Sequence, residues 1–279
     1  GLFKKVFIAD TFAIWADAGF DSTEPLSFFE AWGATLSYTF QLYYDFSGYT
    51  DMAIGAALLF NIRLPINFNS PYKAHNIQDF WRRWHMTLST FLKDYLYIPL
   101  GGSRKGSKHV NLMITMLLGG LWHGAGWTFV VWGGLHGIYL VVNHAWRSLL
   151  GRFHKPLADR FLYKLLASTL TLLAVVVAWV FFRADDMNSA MAILNGMLGV
   201  NGASLPVKYL DRWGDFSTTL ISVGIRFENT LFEGTKTVTN ILILFFVVWF
   251  MPNTQTIVKN YQPVTNEIDE TSRIKFKPN

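Results

Sequence analysis

The sequence contains no cysteine. That excludes a disulfide framework, an S-acylated anchor and any mechanism that needs a thiolate nucleophile. Charge is also scarce. Asp, Glu, Lys and Arg make up 15% of the chain, against about a quarter in soluble domains, while hydrophobic residues make up 51% and aromatics 16%. An ordinary soluble domain is thereby excluded, and an integral membrane protein is the expectation. The run Gly101-Gly102-Ser103-Arg104-Lys105-Gly106 departs from the phosphate-binding loop pattern, and neither a Gly-x-Ser-x-Gly elbow nor a His-x-x-x-His pair occurs. Nucleotide hydrolysis, a nucleophile elbow and a metal centre therefore find no support. Internal repeats and low-complexity tracts are absent as well.

The net charge is +5, from 24 basic and 19 acidic residues. The basic residues sit in short clusters between apolar stretches, a pattern that membrane topology explains better than nucleic acid does. Six candidate spans emerge: Val6 to Phe20, Trp32 to Phe60, Leu112 to Ala125, Gly126 to Ala145, Leu165 to Phe182 and Thr237 to Met251. The first carries Asp10 and Asp17, so it crosses obliquely or as a packed helix. Leu112 to Ala125 is shorter than the roughly 20 residues a crossing needs and reads as a re-entrant segment. Leu165 to Phe182 is an unbroken apolar run. With alternation across these spans, Lys4-Lys5, Arg63/Lys73, Arg104/Lys105/Lys108, Arg147 to Lys164 and the tail cations Lys259, Arg273, Lys275 and Lys277 all fall on the cytoplasmic side. The acidic loop with Asp21, Glu24 and Glu30 and the mixed stretch from Arg183 to Lys236 then face outward, with Ser189 to Leu198 as a helix on the surface. Asp45 and Asp51, inside the second span, must face protein or water. They lie about 120° apart around a helix and form no facing carboxylate pair.

The stretch from Gln78 to Leu96 reads as one amphipathic helix at the membrane surface. One arc holds Phe80, Trp81, Trp84, His85, Leu88, Phe91, Leu92, Tyr95 and Leu96. The other holds Asp79, Arg82, Arg83, Met86, Thr87, Ser89, Thr90, Lys93 and Asp94. His85 is the one ionisable group on the apolar arc. A second histidine, His123, sits in the apolar run from Leu112 to Ala125. Apolar surroundings disfavour a charged imidazole, and a neutral imidazole can serve as general base. From the residues alone, His123 is either such a base or a core histidine bonded to a backbone carbonyl. His85 is a catalytic partner or a substrate contact, or else structural. His136, in the next span, is a third polar candidate, whereas His75, His109, His144 and His154 read as solvated. Arg82, Arg83 and Lys93 either attract an anionic donor or anchor the helix to acidic headgroups.

Phe80-Trp81-Arg82-Arg83-Trp84-His85, Tyr95-Leu96-Tyr97-Ile98-Pro99-Leu100-Gly101-Gly102 and Gly119-Gly120-Leu121-Trp122-His123-Gly124-Ala125 together resemble the signature of the membrane-bound O-acyltransferase superfamily. The similarity is to its bacterial branch of alginate and peptidoglycan O-acetyltransferase membrane subunits and the D-alanine transfer protein of teichoic acid. Tyr44-Asp45-Phe46-Ser47-Gly48-Tyr49-Thr50-Asp51, Trp132-Gly133-Gly134-Leu135-His136-Gly137, Trp179-Val180-Phe181-Phe182-Arg183-Ala184 and Pro252-Asn253-Thr254-Gln255 extend the resemblance over roughly residues 1 to 255.

The resemblance implies an all-α integral membrane fold of the bacterial inner membrane. It would be a multi-pass helical bundle around a central tunnel, with an interfacial amphipathic helix and re-entrant segments. Residues 1-255 would be the carboxy-terminal part of a single membrane domain, its amino-terminal spans lying outside this chain, and 256-279 a polar cytoplasmic tail. It implies catalysis by His123 with His85. Trp122, Trp84, His136, Arg82 and Arg83 would contact substrate, with no metal. The expected donor is acetyl-coenzyme A or another acyl thioester, and no bound cofactor is expected. The expected acceptor is an extracytoplasmic polysaccharide, reached through a periplasmic acetyltransferase partner, with membrane lipids as surroundings and no nucleic acid. A non-catalytic acyl-group transporter is the alternative that the same buried histidines allow.

Overall fold

The computed structural model describes residues 1–232 and 234–265, with backbone alone at 267–268 and 274–275 and without the side chains of His154 and Lys155. Arg273, Lys277 and the side chain of Lys275 lie outside the described residues, so the cytoplasmic placement of those tail cations falls there too. A π-helical turn, Lys4–Ala9, runs into α1 (Asp10–Phe20). The long helix α2 (Phe28–Leu59) follows. Its start is set by a capping box, in which Ser27 N donates to Glu30 Oε2 at 3.0 Å. The carboxylates of α2 face the first helix: Lys4 Nζ lies 2.8 Å from Asp51, and Lys5 Nζ lies 2.6 Å from Asp45. These lysines lower the cost of acids in an otherwise apolar helix.

The stretch expected as one helix from Gln78 to Leu96 is broken. It forms α3 (Ile77–Trp81), α4 (Met86–Phe91) and a π-helical turn, Leu92–Tyr97. Between α3 and α4, His85 takes a left-handed conformation, φ 40° and ψ 58°. Such a conformation costs a non-glycine residue on the order of 1 kcal/mol and persists only where neighbours enforce it. They do so here. Asn67 O accepts from Met86 N, and Asn67 Oδ1 accepts from Thr87 N and Oγ1. Ser89 Oγ donates toward Trp81 O and Trp84 O, satisfying carbonyls that the break releases. Because the helix breaks, Arg83 is not on a polar face; it is buried.

A hairpin of α5 (Lys108–His123) and α6 (Trp127–Leu150) follows. At 1.5 Å per residue α5 is about 24 Å long, short of the roughly 30 Å hydrocarbon layer. The two helices meet backbone to backbone: a Cβ on Gly133 would fall on Met116 O, and one on Gly120 on Phe129 O. After α7 (His154–Ala158) come α8 (Phe161–Arg183) and α9 (Met187–Met197). The helix expected to lie on the surface is α9, but one face is buried, with Ala190, Ile193, Gly196 and Met197 in the core. Small residues permit the approach: a Cβ on Gly196 would sit 2.8 Å from Ala31 Cβ. Trp32 Nε1 then donates to Met197 O at 3.0 Å.

The mixed region that follows holds two short parallel strands, β1 (Ala203–Pro206) and β2 (Ile225–Glu228), paired Ala203 to Ile225. Between them lie α10 (Lys208–Trp213) and α11 (Asp215–Ser222). The chain continues through α12 (Thr235–Phe250) and α13 (Thr254–Ile257). Residues beyond 255, expected as a polar tail, pack at least as far as Thr265. Val264 bridges to Leu64 and is buried with Ile54, Ile66 and Met86. Among the described residues α8 is the one helix long and apolar enough to cross a membrane by length and composition, and α12 is a shorter apolar helix. The chain is mostly helical, with one main core shared by α1, α2, α3, α5, α6, α8, α9 and α12.

Candidate active site

The core of the molecule around α3, α6 and α8 is a cluster of aromatic rings, and His123 sits at its edge. Half-buried at the last position of α5, its ring lies 5.1 Å from that of Trp132 at 88° and 5.0 Å from that of Phe182. Edge-to-face geometry of this kind fixes a ring without using its nitrogens. On α6, Trp132 and His136 are one helical turn apart and face the same way, their rings 4.9 Å apart. His136 is fully buried, and its Nδ1 accepts from Trp81 Nε1 at 3.3 Å. Trp84 is buried, stacked on Phe80 at 5.6 Å and tilted against Trp179 at 4.9 Å. His85 is half-buried beyond Trp84, its ring edge-on to Phe46 at 4.8 Å.

The structure therefore brings His123, His136 and Trp84 into one ring network, with His85 at its margin. Trp122 is different. Its ring touches that of His123 at 4.9 Å, but the side chain is 63% exposed at the corner of the hairpin. The two arginines part company. Arg82 is exposed, whereas Arg83 Nε donates to Asp79 Oδ1 at 2.9 Å and its Nη1 to Asn69 O at 3.2 Å. Arg83 is thus committed to holding the loop before α3. Replacing it with Ala leaves Asp79 and the Asn69 carbonyl without this partner, and is expected to cost about 3 kcal/mol. A thermal melt of the purified protein checks this; an unchanged melting point would show the pair to be dispensable.

Sequence reasoning gave no role to Trp81, Trp132, Trp179 or Phe182. The signal was present for Trp132, since its spacing of four from His136 places both on one helix face. For Trp179 and Phe182 no local pattern pointed toward His123, because their contact is made across helices. Among the described residues no three metal-binding side chains share a site. The arrangement offers a half-buried imidazole with free ring nitrogens beside rigid aromatic walls, which suits proton transfer to a substrate held against them.

A sequence profile of the membrane-bound O-acyltransferase family matches residues 1–182. The peptidoglycan O-acetyltransferase of Helicobacter pylori is 59% identical over 207 residues, covering 74% of this chain and 38% of that protein. A probable alginate O-acetylase of Pseudomonas putida is 49% identical over 199 residues, covering 71% of this chain and 39% of that protein. The teichoic acid D-alanyltransferase of Streptococcus thermophilus is 36% identical over 123 residues, covering 41% of this chain and 30% of that protein. The chain spans about two fifths of the length of the first two relatives.

Proposed function

The chain belongs to the membrane-bound O-acyltransferase family, and from this we propose that it is the catalytic portion of an enzyme that O-acetylates an extracytoplasmic polysaccharide. The relatives named for peptidoglycan and alginate O-acetylation support that acceptor class. The protein would be a multi-pass helical bundle of the bacterial inner membrane, taking the acyl group from a cytoplasmic thioester such as acetyl-coenzyme A. A periplasmic partner would complete delivery to the polysaccharide.

The observation that carries the reading is His123, half-buried at the end of α5 beside Trp132 and Phe182, with His85 at the margin of the same ring network through Phe46, Phe68 and Trp84. As the acceptor hydroxyl oxygen bonds to the thioester carbonyl carbon, His123 takes the hydroxyl proton. Collapse of the tetrahedral intermediate breaks the carbon–sulfur bond, and the departing thiolate receives that proton. The products are an ester and a thiol. His85, held in its left-handed conformation by Asn67 and Ser89 contacts, would contact the donor or acceptor next to His123; Trp84 and Trp122 would line the path of the acyl chain, and Arg82 would face the charged part of the donor.

The test is delivery of labelled acetyl-coenzyme A to the cytoplasmic face of sealed membranes carrying the full-length protein and its periplasmic partner. Label in ester linkage outside the membrane is expected. Label that crosses and is recovered unesterified would sink the enzyme reading and favour a transporter.

A further inference from the structure

Three buried side chains in the aromatic cluster have an unspent polar atom: Trp179 Nε1 on α8, and Trp132 and His136 together on α6. Trp132 is 2% exposed and its Nε1 has no hydrogen-bond partner; His136 is 0% exposed and its Nε2 has none. A buried polar group left unpaired costs about 1–3 kcal/mol, so two of them on adjacent turns of one helix need an explanation. Their chemistry narrows it. An indole N–H can only donate. Trp81 Nε1, also a pure donor, is hydrogen-bonded to His136 Nδ1, so the neutral imidazole carries its proton on Nε2. Both unspent atoms on α6 are therefore donors. They call for an acceptor oxygen, and most strongly for one that gains negative charge in these low-dielectric surroundings.

Their place in the fold says which oxygen that is. The Trp132 ring stands between the two imidazoles, 5.1 Å from His123 and 4.9 Å from His136. The cluster is closed on the His136 side and half-open at His123, where the hairpin turns. We propose that Trp132 Nε1–H and His136 Nε2–H are the donors that hold the acyl carbonyl oxygen as it becomes an oxyanion, which makes both catalytic residues. The inference rests on the acyltransferase reading and adds to it. When the acceptor oxygen bonds to the carbonyl carbon, the carbonyl π pair moves onto this oxygen. The two N–H groups stabilise it until the carbon–sulfur bond breaks and the carbonyl re-forms. Preorganised donors aimed at such an oxygen act without reorganisation, and removing one typically costs about 10²-fold or more in rate.

The experiment uses the full-length protein in membranes, at matched folded abundance. Trp132→Phe keeps the ring and deletes the donor; His136→Phe deletes the donor and His136→Gln keeps an N–H near the same place. We expect the single-turnover rate to fall about 10²-fold in Trp132→Phe and in His136→Phe, with His136→Gln retaining most of it and donor affinity unchanged. Rates within a few-fold of native in both Phe variants would overturn the proposal. The native protein and His123→Ala separate the two ideas: no acyl transfer by the native protein refutes the acyltransferase reading itself, whereas a native rate in His123→Ala removes only the base and leaves the two donors to be judged by their own variants. A second measurement needs no variant to fold. The probe is a coenzyme A analogue in which a methylene replaces the sulfur, leaving a carbon-13-labelled ketone. Bound to native protein, its carbonyl stretch should shift to lower frequency than in hydrocarbon. A stretch at the hydrocarbon value, meaning that the two donors bind water only or nothing, would overturn the proposal.

Discussion

Replacing His123 with Ala should lower acetyl transfer by about 10²- to 10⁴-fold, the usual contribution of a positioned general base. The expectation follows from its position more than from its identity. It is the last residue of α5, with Gly124 next, and its ring is held edge-on by Trp132 and Phe182. Those contacts use the ring's edge and face, so its nitrogens stay available for a proton. His123→Gln supplies a second arm. Glutamine can hydrogen-bond but cannot take a proton at neutral pH, so a loss of similar size in both variants places His123 in the proton transfer. A loss in His123→Ala with recovery in His123→Gln would instead make it a hydrogen-bonding residue that orients substrate. The assay is single-turnover transfer by full-length protein in membranes, with donor binding measured alongside. Near-native transfer in both variants would remove His123 from the chemistry altogether.

Part of the site was legible because it is local. His85 and His123 each stand out in an apolar sequence neighbourhood, and the Trp132 to His136 spacing follows from helix periodicity. The apolar runs also located α6, α8 and α12 to within a few residues, except at the carboxy-terminal end of α6, which continues five residues past Ala145. What could not be read is what distant residues decide. The break at His85 is imposed by Asn67, some twenty residues earlier, and by Ser89 reaching back to the carbonyls of Trp81 and Trp84. No proline or glycine marks it. A wheel drawn over Gln78 to Leu96 therefore sent Arg83 to solvent, although its guanidinium lies against Asp79 and the Asn69 carbonyl. The same holds for α9, whose buried face depends on Gly196 meeting Ala31. It holds again for Val264, whose partner Leu64 is 200 residues away in sequence.

The other large effect is expected at a glycine with no chemistry of its own. Gly133 and Gly134 are neighbours on α6, yet they face different surroundings. A Cβ at Gly134 would make ordinary contact with Leu117 Cδ2 at 3.6 Å, whereas a Cβ at Gly133 would fall on the carbonyl oxygen of Met116 and press on the Gly120 Cα at 3.3 Å. Backbone of α5 cannot yield as a flexible side chain could, so alanine at 133 must drive the two helices apart. His123 rides on α5, and Trp132 and His136 ride on α6. Separation by about 1 Å is enough to cost 10²-fold in rate by misplacing groups around a substrate. Gly133→Ala is thus expected to lose transfer to that extent and to melt several degrees lower. Gly134→Ala should hold native transfer and melt at or above the native temperature, since alanine favours a helix over glycine by up to about 1 kcal/mol. Measuring both in the same detergent removes composition as a variable, because the substitution is identical and only the facing helix differs. Equal behaviour of the pair would mean that the α5–α6 contact does not set the geometry of the site, and that His123 is positioned from the α8 side, through Phe182.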